Sequence, residues 1–185
     1  MSESVKASRS TVTLGSLVID GFMLPNGEYR MSQTQAAEII QLTERNAREF
    51  LDSKTFKQLS GEAYTPAIFE IEAGDQQRGQ SRFRGLPLKV VVIYWTYQCY
   101  RGNKQARNLL VALATETLER RFDRAFGVTR SEDDWDQRLS AGIIAQLETD
   151  LSTAFEEADT ALSRERLLEQ QLRDNGIEPW ALPGE

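Results

Sequence analysis

Histidine is absent from the 185 residues, and cysteine occurs once, as Cys99. The absence of histidine excludes Ser-His and Cys-His nucleophile pairs, histidine general acid–base catalysis and most transition-metal sites. A single cysteine excludes an internal disulfide and any zinc site built from several cysteines. Because Cys99 lies in an apolar segment beside Tyr97 and Tyr100, we expect a packed thiol and not a nucleophile. The sequence therefore predicts a protein that is not an enzyme and that binds no cofactor or metal.

Long hydrophobic runs are also missing. No apolar segment approaches the roughly 20 residues that a transmembrane helix needs. The first ten residues, MSESVKASRS, are polar and contain no apolar segment of the kind found in signal peptides. These features predict a cytoplasmic protein with no membrane partner. We expect residues 1–10 to form a disordered lead.

Positive charge is scarce overall, since 22 lysines and arginines face 28 aspartates and glutamates and the net charge is -6. The excess of acidic residues is confined to the last third of the chain. Residues 128–185 contain five basic and fourteen acidic residues, whereas residues 61–127 contain ten basic and seven acidic ones. The first two thirds of the chain can therefore carry a local basic surface, as a nucleic-acid-binding protein requires.

Residues 32–51 have the pattern of two short helices joined by a tight corner. Ser32 is predicted to cap the first helix, with Gln35 in the capping-box position, and Thr43 to cap the second. Ala47, Phe50 and Leu51 should face inward and leave basic and polar side chains outside. This pattern is typical of a helix-turn-helix, whose second helix can enter the major groove of DNA. Paired short helices also occur in proteins that never contact DNA, so both interpretations stay open.

A predicted β-hairpin stands on each side of the helix pair. The first joins residues 11–24 to residues 28–31 through the turn Pro25-Asn26-Gly27, and the second joins residues 64–72 to residues 81–86. The second hairpin carries three arginines, Arg78, Arg82 and Arg84. Such a basic hairpin suits contacts to a nucleic-acid backbone, although arginines also keep an exposed hairpin soluble.

Helices are predicted for the rest of the chain, which makes the fold class α+β. We expect a buried helix at residues 88–100, opened by Pro87, and a long helix from Asn103 to Phe126 whose apolar face includes Leu118 and Phe122. The domains are then an α+β domain at residues 11–127 and an acidic helical region at residues 128–185, with Ser163 capping a last helix. Leucines and other apolar residues recur at helical spacing in this region, which indicates self-association or a protein partner: Leu139, Ile143, Leu147, Leu151 and Phe155.

Carboxylates on one strand offer a second chemical possibility. Glu70 and Glu72 should share a face, with Asp75 beyond them. They could bind Mg²⁺ in a nuclease, although no lysine follows at a spacing that completes such a site. Alternating glutamates are also ordinary on an exposed strand. A magnesium-dependent nuclease is therefore the third and weakest of the functions that the sequence allows.

Two stretches resemble the KilA-N and Bro-N type domains of phage antirepressors and related regulators. They are GEYRMSQTQAAEIIQLTERNAREFL at residues 27–51 and YWTYQCYRGNKQARNLLVALATETLERRFDRAFG at residues 94–127. The order of hairpin, helix pair, second hairpin and helices is similar as well, over residues 11–127. The resemblance implies a regulatory contact with DNA through the second helix of the pair. It implies a separate C-terminal part for protein contacts.

These observations lead to one main expectation, a DNA-binding transcriptional regulator that forms a homodimer or another homo-oligomer. Arg45, Asn46 and Arg48 are predicted to face the major groove of double-stranded DNA, because forked side-chain donors and acceptors match the edges of guanine and adenine. Four further cations are predicted to meet phosphates: Lys54, Lys57, Arg82 and Arg84. The alternative is a protein–protein adaptor or antirepressor that acts through the C-terminal helices and never binds DNA.

Overall fold

The computed structural model describes residues 5–62, 64–72 and 81–179. Two compact units divide the chain, the first up to Ile143 and the second from Ile144 onward. The first unit contains both strands and helices, with three short helices between the third and fourth strands, and the second unit is helical. This arrangement confirms the α+β class. The division lies within the last helix, whereas the sequence placed the start of the C-terminal region at residue 128.

Five strands of the first unit form one closed sheet in the order β1-β2-β3-β5-β4, with β1 paired back onto β4. Their bounds are β1 Lys6–Leu14, β2 Leu17–Met23, β3 Tyr29–Ser32, β4 Ala67–Ile71 and β5 Arg82–Pro87. All neighbouring pairs are antiparallel except β1 and β4, which run parallel through Lys6 opposite Glu70 and Ala7 opposite Ile71. The prediction of two separate hairpins was therefore incomplete, since both belong to one sheet.

The first strand corrects the prediction of a disordered lead over residues 1–10. β1 begins at Lys6, and Ala7 is fully buried in a small apolar cluster with Phe22, Leu24, Phe69 and Phe83. A two-residue loop at Gly15-Ser16 joins β1 to β2, and Gly15 has a φ of 61°, a backbone conformation that glycine adopts without strain. The segment predicted as one strand at residues 11–24 is thus the end of one strand and the whole of the next.

Helices follow the third strand and cover the sheet. In the first unit they are α1 Gln33–Glu38, α2 Glu44–Asp52, α3 Lys54–Ser60, α4 Leu88–Tyr100 and α5 Lys104–Phe126. The predicted bounds of α4 are confirmed, and Asn103 caps α5 by accepting a hydrogen bond from the backbone N–H of Ala106. Gly127 ends α5 in the left-handed conformation, which glycine adopts without strain.

The main core lies between the sheet and these helices. It contains Ile40, Phe56, Leu86, Val91 and Tyr94, each almost completely buried. In α3 only Phe56 joins this core, since 55% of Leu59 is exposed. The apolar face of α5 is likewise buried only near its start. Leu118, Phe122 and Phe126, predicted to pack inward, are all exposed.

The last helix, α6, runs without a break over Glu132–Asp174. Ser163 lies inside it, so the prediction that Ser163 caps a separate final helix was wrong. Leu139 and Ile143 are buried in the core of the first unit, which removes them from the surface predicted to bind a partner. The other three residues of that set, Leu147, Leu151 and Phe155, lie in the second unit. In the described part of the chain, no helix combines the length and the apolar character that crossing a membrane requires.

Candidate nucleic-acid interface

The helix pair at the centre of the DNA-binding prediction is present. Ser32 caps α1 by accepting a hydrogen bond from the backbone N–H of Gln35 at 3.0 Å. The chain reverses at Gln41, which has a φ of 59°, and Thr43 precedes α2. The left-handed conformation costs a residue with a side chain about 1 kcal/mol. The corner between the two helices is therefore held against local backbone preference by its packing.

Contacts with α4 fix the helix pair in place. The indole N–H of Trp95 donates to the carbonyl oxygen of Ala36 in α1 at 2.8 Å. The ring of Tyr97 stacks on Phe50 of α2, with centroids 4.5 Å apart. Just beyond α4, the side chain of Asn103 donates to the carbonyl oxygen of Ile40 in the corner at 3.0 Å. Both helices and the corner between them are thus anchored by hydrogen bonds or ring contacts.

Asn46 belongs to this inner face of α2, which corrects the prediction that it faces the major groove. Its side-chain oxygen accepts hydrogen bonds from the hydroxyl group of Tyr94 at 2.9 Å and from the amide of Gln98 at 2.8 Å. Tyr94 and Gln98 are both buried. Burial also raises the pKa of the Tyr94 hydroxyl, so this group remains a donor. The side chain of Asn46 therefore positions α2 and is directed away from its outer face.

Arg45 and Arg48 lie on the exposed face of α2. Arg45 is paired with Glu49 one turn later, its Nε 2.7 Å from the carboxylate, and its side chain is 76% exposed. This hydrogen bond and the charge of Glu49 raise the pKa of the Arg45 guanidinium. Exposed pairs at this spacing contribute only about 0.3–0.5 kcal/mol. The pair therefore presents little obstacle to a new partner for Arg45.

Lys54 and Lys57 extend the exposed basic surface onto α3. Ser53 caps this helix by accepting from the backbone N–H of Phe56 at 3.1 Å. Phe56 is fully buried and contacts Phe50 of α2 edge to face. This contact fixes α3 against α2 and leaves both lysines in solvent.

The arginines of the second hairpin are engaged within the protein. Arg82 donates to the Glu70 carboxylate at 2.7 Å, and Arg84 donates to that of Glu44 at 3.3 Å. The same Glu44 oxygen accepts from the amide of buried Gln33 at 2.9 Å. Both arginines remain about half exposed or more. Arg78 lies outside the described residues.

An open cleft of about 690 Å³ lies beside these pairs. Its lining includes Asp20, Glu44, Ile68, Arg82 and Arg84. Asp20 is itself paired with Arg9 at 2.6 Å. Acidic and basic groups thus alternate around the cleft, and their charges are largely compensated. An anion such as a phosphate could therefore bind these arginines only in exchange for their carboxylate partners.

The carboxylates considered for a magnesium site are likewise engaged. Glu70 is paired with Arg82, and Glu72 accepts a hydrogen bond from the hydroxyl of Ser8 at 2.7 Å. Asp75 lies outside the described residues. Within the described ranges, no three acidic, cysteine or histidine side chains lie close enough together to hold a metal ion.

Three exposed residues near the corner were not among the predicted contacts. Tyr100 at the end of α4 is 90% exposed, and Arg101 and Lys104 on either side of the following turn are exposed as well. The hydrogen bond from Asn103 to Ile40 places this turn against the corner of the helix pair. The sequence shows an aromatic residue followed by two cations at these positions. It does not show that they lie close to the helix pair in the fold.

In comparisons with known proteins, no family model, no curated protein and no solved structure matches the chain. The resemblance to KilA-N and Bro-N type domains therefore stays a hypothesis that rests on the two stretches quoted above.

Proposed function

We propose that the first unit binds double-stranded DNA and that the protein acts as a transcriptional regulator. One observation carries the proposal: Arg45 and Arg48 project from the exposed face of α2 while α1 and α4 hold its opposite face rigidly. A helix fixed on one side and cationic on the other suits insertion into a major groove.

The two arginines would provide the base contacts. An arginine guanidinium donates two parallel hydrogen bonds to guanine O6 and N7, and each such pair gives about 1–3 kcal/mol of discrimination between bases. Arg45 would exchange its exposed contact with Glu49 for a base edge or a phosphate. Asn46 is not among the proposed base contacts, because its side-chain oxygen accepts hydrogen bonds from Tyr94 and Gln98.

Lys54 and Lys57 would contact phosphates on the flank of the groove. Arg82 and Arg84 would join them after giving up Glu70 and Glu44, an exchange that is inexpensive for exposed ion pairs. Each phosphate contact adds about -0.9 to the slope of the logarithm of affinity against the logarithm of salt concentration. The proposal therefore requires binding that weakens steeply as salt is added.

A specific observation favours the alternative, a protein–protein adaptor that never binds DNA. Three of the predicted DNA-contacting cations, Arg45, Arg82 and Arg84, are neutralised by carboxylates of the same chain. An adaptor needs no free cations, and the exposed apolar residues of α6 would supply its contacts.

A binding titration separates the two functions. Fluorescently labelled duplexes from a random pool are titrated at about 50 and 200 mM salt with the native chain and with an Arg45→Ala/Arg48→Ala variant. The matched control is Arg121→Ala/Arg124→Ala, which removes the same charge at the same spacing from the exposed surface of α5. We expect the α2 variant to lose most of the affinity and the control to keep it. Equal losses of affinity in the two variants would show that only the net charge matters. If the native chain shows no salt-sensitive binding to DNA, the result supports the adaptor.

A further inference from the structure

The second unit presents a long apolar stripe along one side of α6. Seven large residues form it, and each is between 36% and 68% exposed: Ile144, Leu147, Leu151, Phe155, Leu162, Leu168 and Leu172. Steps of three, four and seven residues keep the first five of them on one side of the helix. This part of α6 is about 45 Å long at 1.5 Å per residue. Such an amphipathic helix is stable in water when a second apolar surface covers the stripe.

Charge is distributed unequally along the same segment. Residues 144–160 contain five acidic residues and no basic one, whereas residues 161–174 contain three arginines and three acidic residues. A covering partner must therefore be cationic near the first half of the segment and tolerate arginines near the second. The second half of α6 itself has the arginines that the first half lacks.

We propose that this surface binds a second copy of the chain, with the two α6 segments antiparallel. A parallel pair would place the acidic half of one copy beside the acidic half of the other. The antiparallel pair instead places each acidic half against an arginine-containing half. This inference does not depend on DNA binding, because it rests on the second unit alone.

Geometry supports a definite register for the pair. With the two-fold axis between Phe155 and Ala158, each Phe155 faces Ala158 of the second copy, so that a large residue meets a small one. Moving outward, Leu151 faces Leu162 of the second copy. Apolar residues therefore meet apolar residues in the central part of the stripe, as knobs-into-holes packing requires.

The same register pairs charges on both edges of the stripe. In an antiparallel pair, residues on one edge of a helix meet residues on the corresponding edge of the other. Glu148 and Arg166 share one edge, and the register brings them within one residue of each other, about 1.5 Å along the helix axis. Asp150 and Arg164 share the other edge and have the same offset of one residue. The two-fold axis repeats each of these pairs, so the dimer contains four contacts of opposite charge.

Sedimentation equilibrium of the full chain tests the proposal. We expect a concentration-dependent dimer whose dissociation constant rises more than about 100-fold in Leu151→Asp, because one substitution places two charges in the apolar interface. Near-ultraviolet circular dichroism, to which the buried aromatic residues of the first unit contribute, should show that this unit stays folded in the variant. A native chain that stays monomeric at about 100 µM would overturn the proposal.

A charge exchange then tests the direction of pairing. Glu148→Arg and Arg166→Glu should each weaken the dimer by about tenfold, since two attractive pairs become repulsive, and the double variant should restore native affinity. A parallel dimer predicts the opposite result for Glu148→Arg, namely tighter association, because it relieves repulsion within the acidic half. Glu156→Arg, on the side of the helix away from the stripe, is the matched control and should leave the native dimer affinity unchanged. A double variant that stays weak would overturn the proposed register.

Discussion

The hydroxyl group of Tyr94 donates a hydrogen bond to the side-chain oxygen of Asn46 at 2.9 Å, across the contact between α4 and α2. Gln98 donates to the same oxygen, and both donors are buried. A buried donor without an acceptor costs about 1–3 kcal/mol. The side chain of Asn46 therefore satisfies both buried donors that α4 directs towards the proposed recognition helix.

We expect Asn46→Ala to lower the free energy of unfolding by about 2 kcal/mol, because two buried donors lose their acceptor. Urea denaturation measures the change. In a Tyr94→Phe background the same substitution should cost less, since one donor is already gone. The exposed Arg48→Ala should stay within about 0.5 kcal/mol of the native chain. An Asn46→Ala variant of native stability that nevertheless lost DNA binding would return Asn46 to the set of base contacts.

Close packing at Gly85 in β5 gives a second prediction. A Cβ atom there would lie 2.7 Å and 2.8 Å from ring carbons of Phe69. We expect Gly85→Ala to destabilise the closed sheet by about 1–3 kcal/mol through overpacking, measured by thermal or urea unfolding. Gly142 in α6 is the matched control, because a Cβ atom there meets nothing within 4 Å. Gly142→Ala should instead stabilise the helix by up to about 1 kcal/mol. Equal effects at the two positions would contradict the packing described for β5.

Trp135 joins the start of α6 to α5. It is 4% exposed, and the guanidinium groups of Arg120, Arg130 and Arg138 lie 4.8, 5.6 and 5.9 Å from its ring. We expect Trp135→Ala to lower the free energy of unfolding by about 3–5 kcal/mol. Trp135→Phe should cost less, because it keeps an aromatic face under the three cations. Equal free energies of unfolding for Trp135→Ala and Trp135→Phe would contradict a stabilising contribution from an aromatic ring at this position.

Acid should weaken the same junction through Glu132. The hydrogen bond and charge of Arg120 hold the pKa of the Glu132 carboxyl below its ordinary value of 4.5. A lowered pKa in the folded state stabilises the fold above the unfolded pKa, and this stabilisation is lost as the pH falls through the folded value. Stability measured from pH 7 down to about pH 3 should therefore fall more steeply for the native chain than for Glu132→Gln. Asp133→Asn, at the neighbouring exposed position, serves as the control.

Local signals predicted much of the helical structure. Ser32 and Asn103 cap the helices that their positions indicated, and Pro87 directly precedes α4. Each of these features depends on residues within one helical turn, so the sequence alone contains the information. The prediction that Ser163 caps a last helix was wrong because it also used only local information. A serine can cap a helix, but it can also lie on an exposed helical surface when no proline or glycine interrupts the chain.

Contacts between distant segments could not be predicted. The alternation of residues 67–71 indicated a strand but not its parallel pairing with β1, whose residues lie more than sixty positions earlier. The orientation of Asn46 was missed because its partners, Tyr94 and Gln98, belong to a helix that was predicted to be buried but could not be oriented. In each case, the sequence did not show which face or edge of one element contacts which face or edge of another.

The closure of the sheet by β1 has a consequence for synthesis on the ribosome. Lys6 and Ala7 emerge first, yet their partners on β4 are translated about sixty residues later. Until then the nascent chain holds one edge of β1 unpaired, and an unpaired edge readily recruits strands from other molecules. Residues 7–11 of β1, ASRST, are small or polar and contain a positive charge, a composition that opposes pairing with other molecules before β4 has been made.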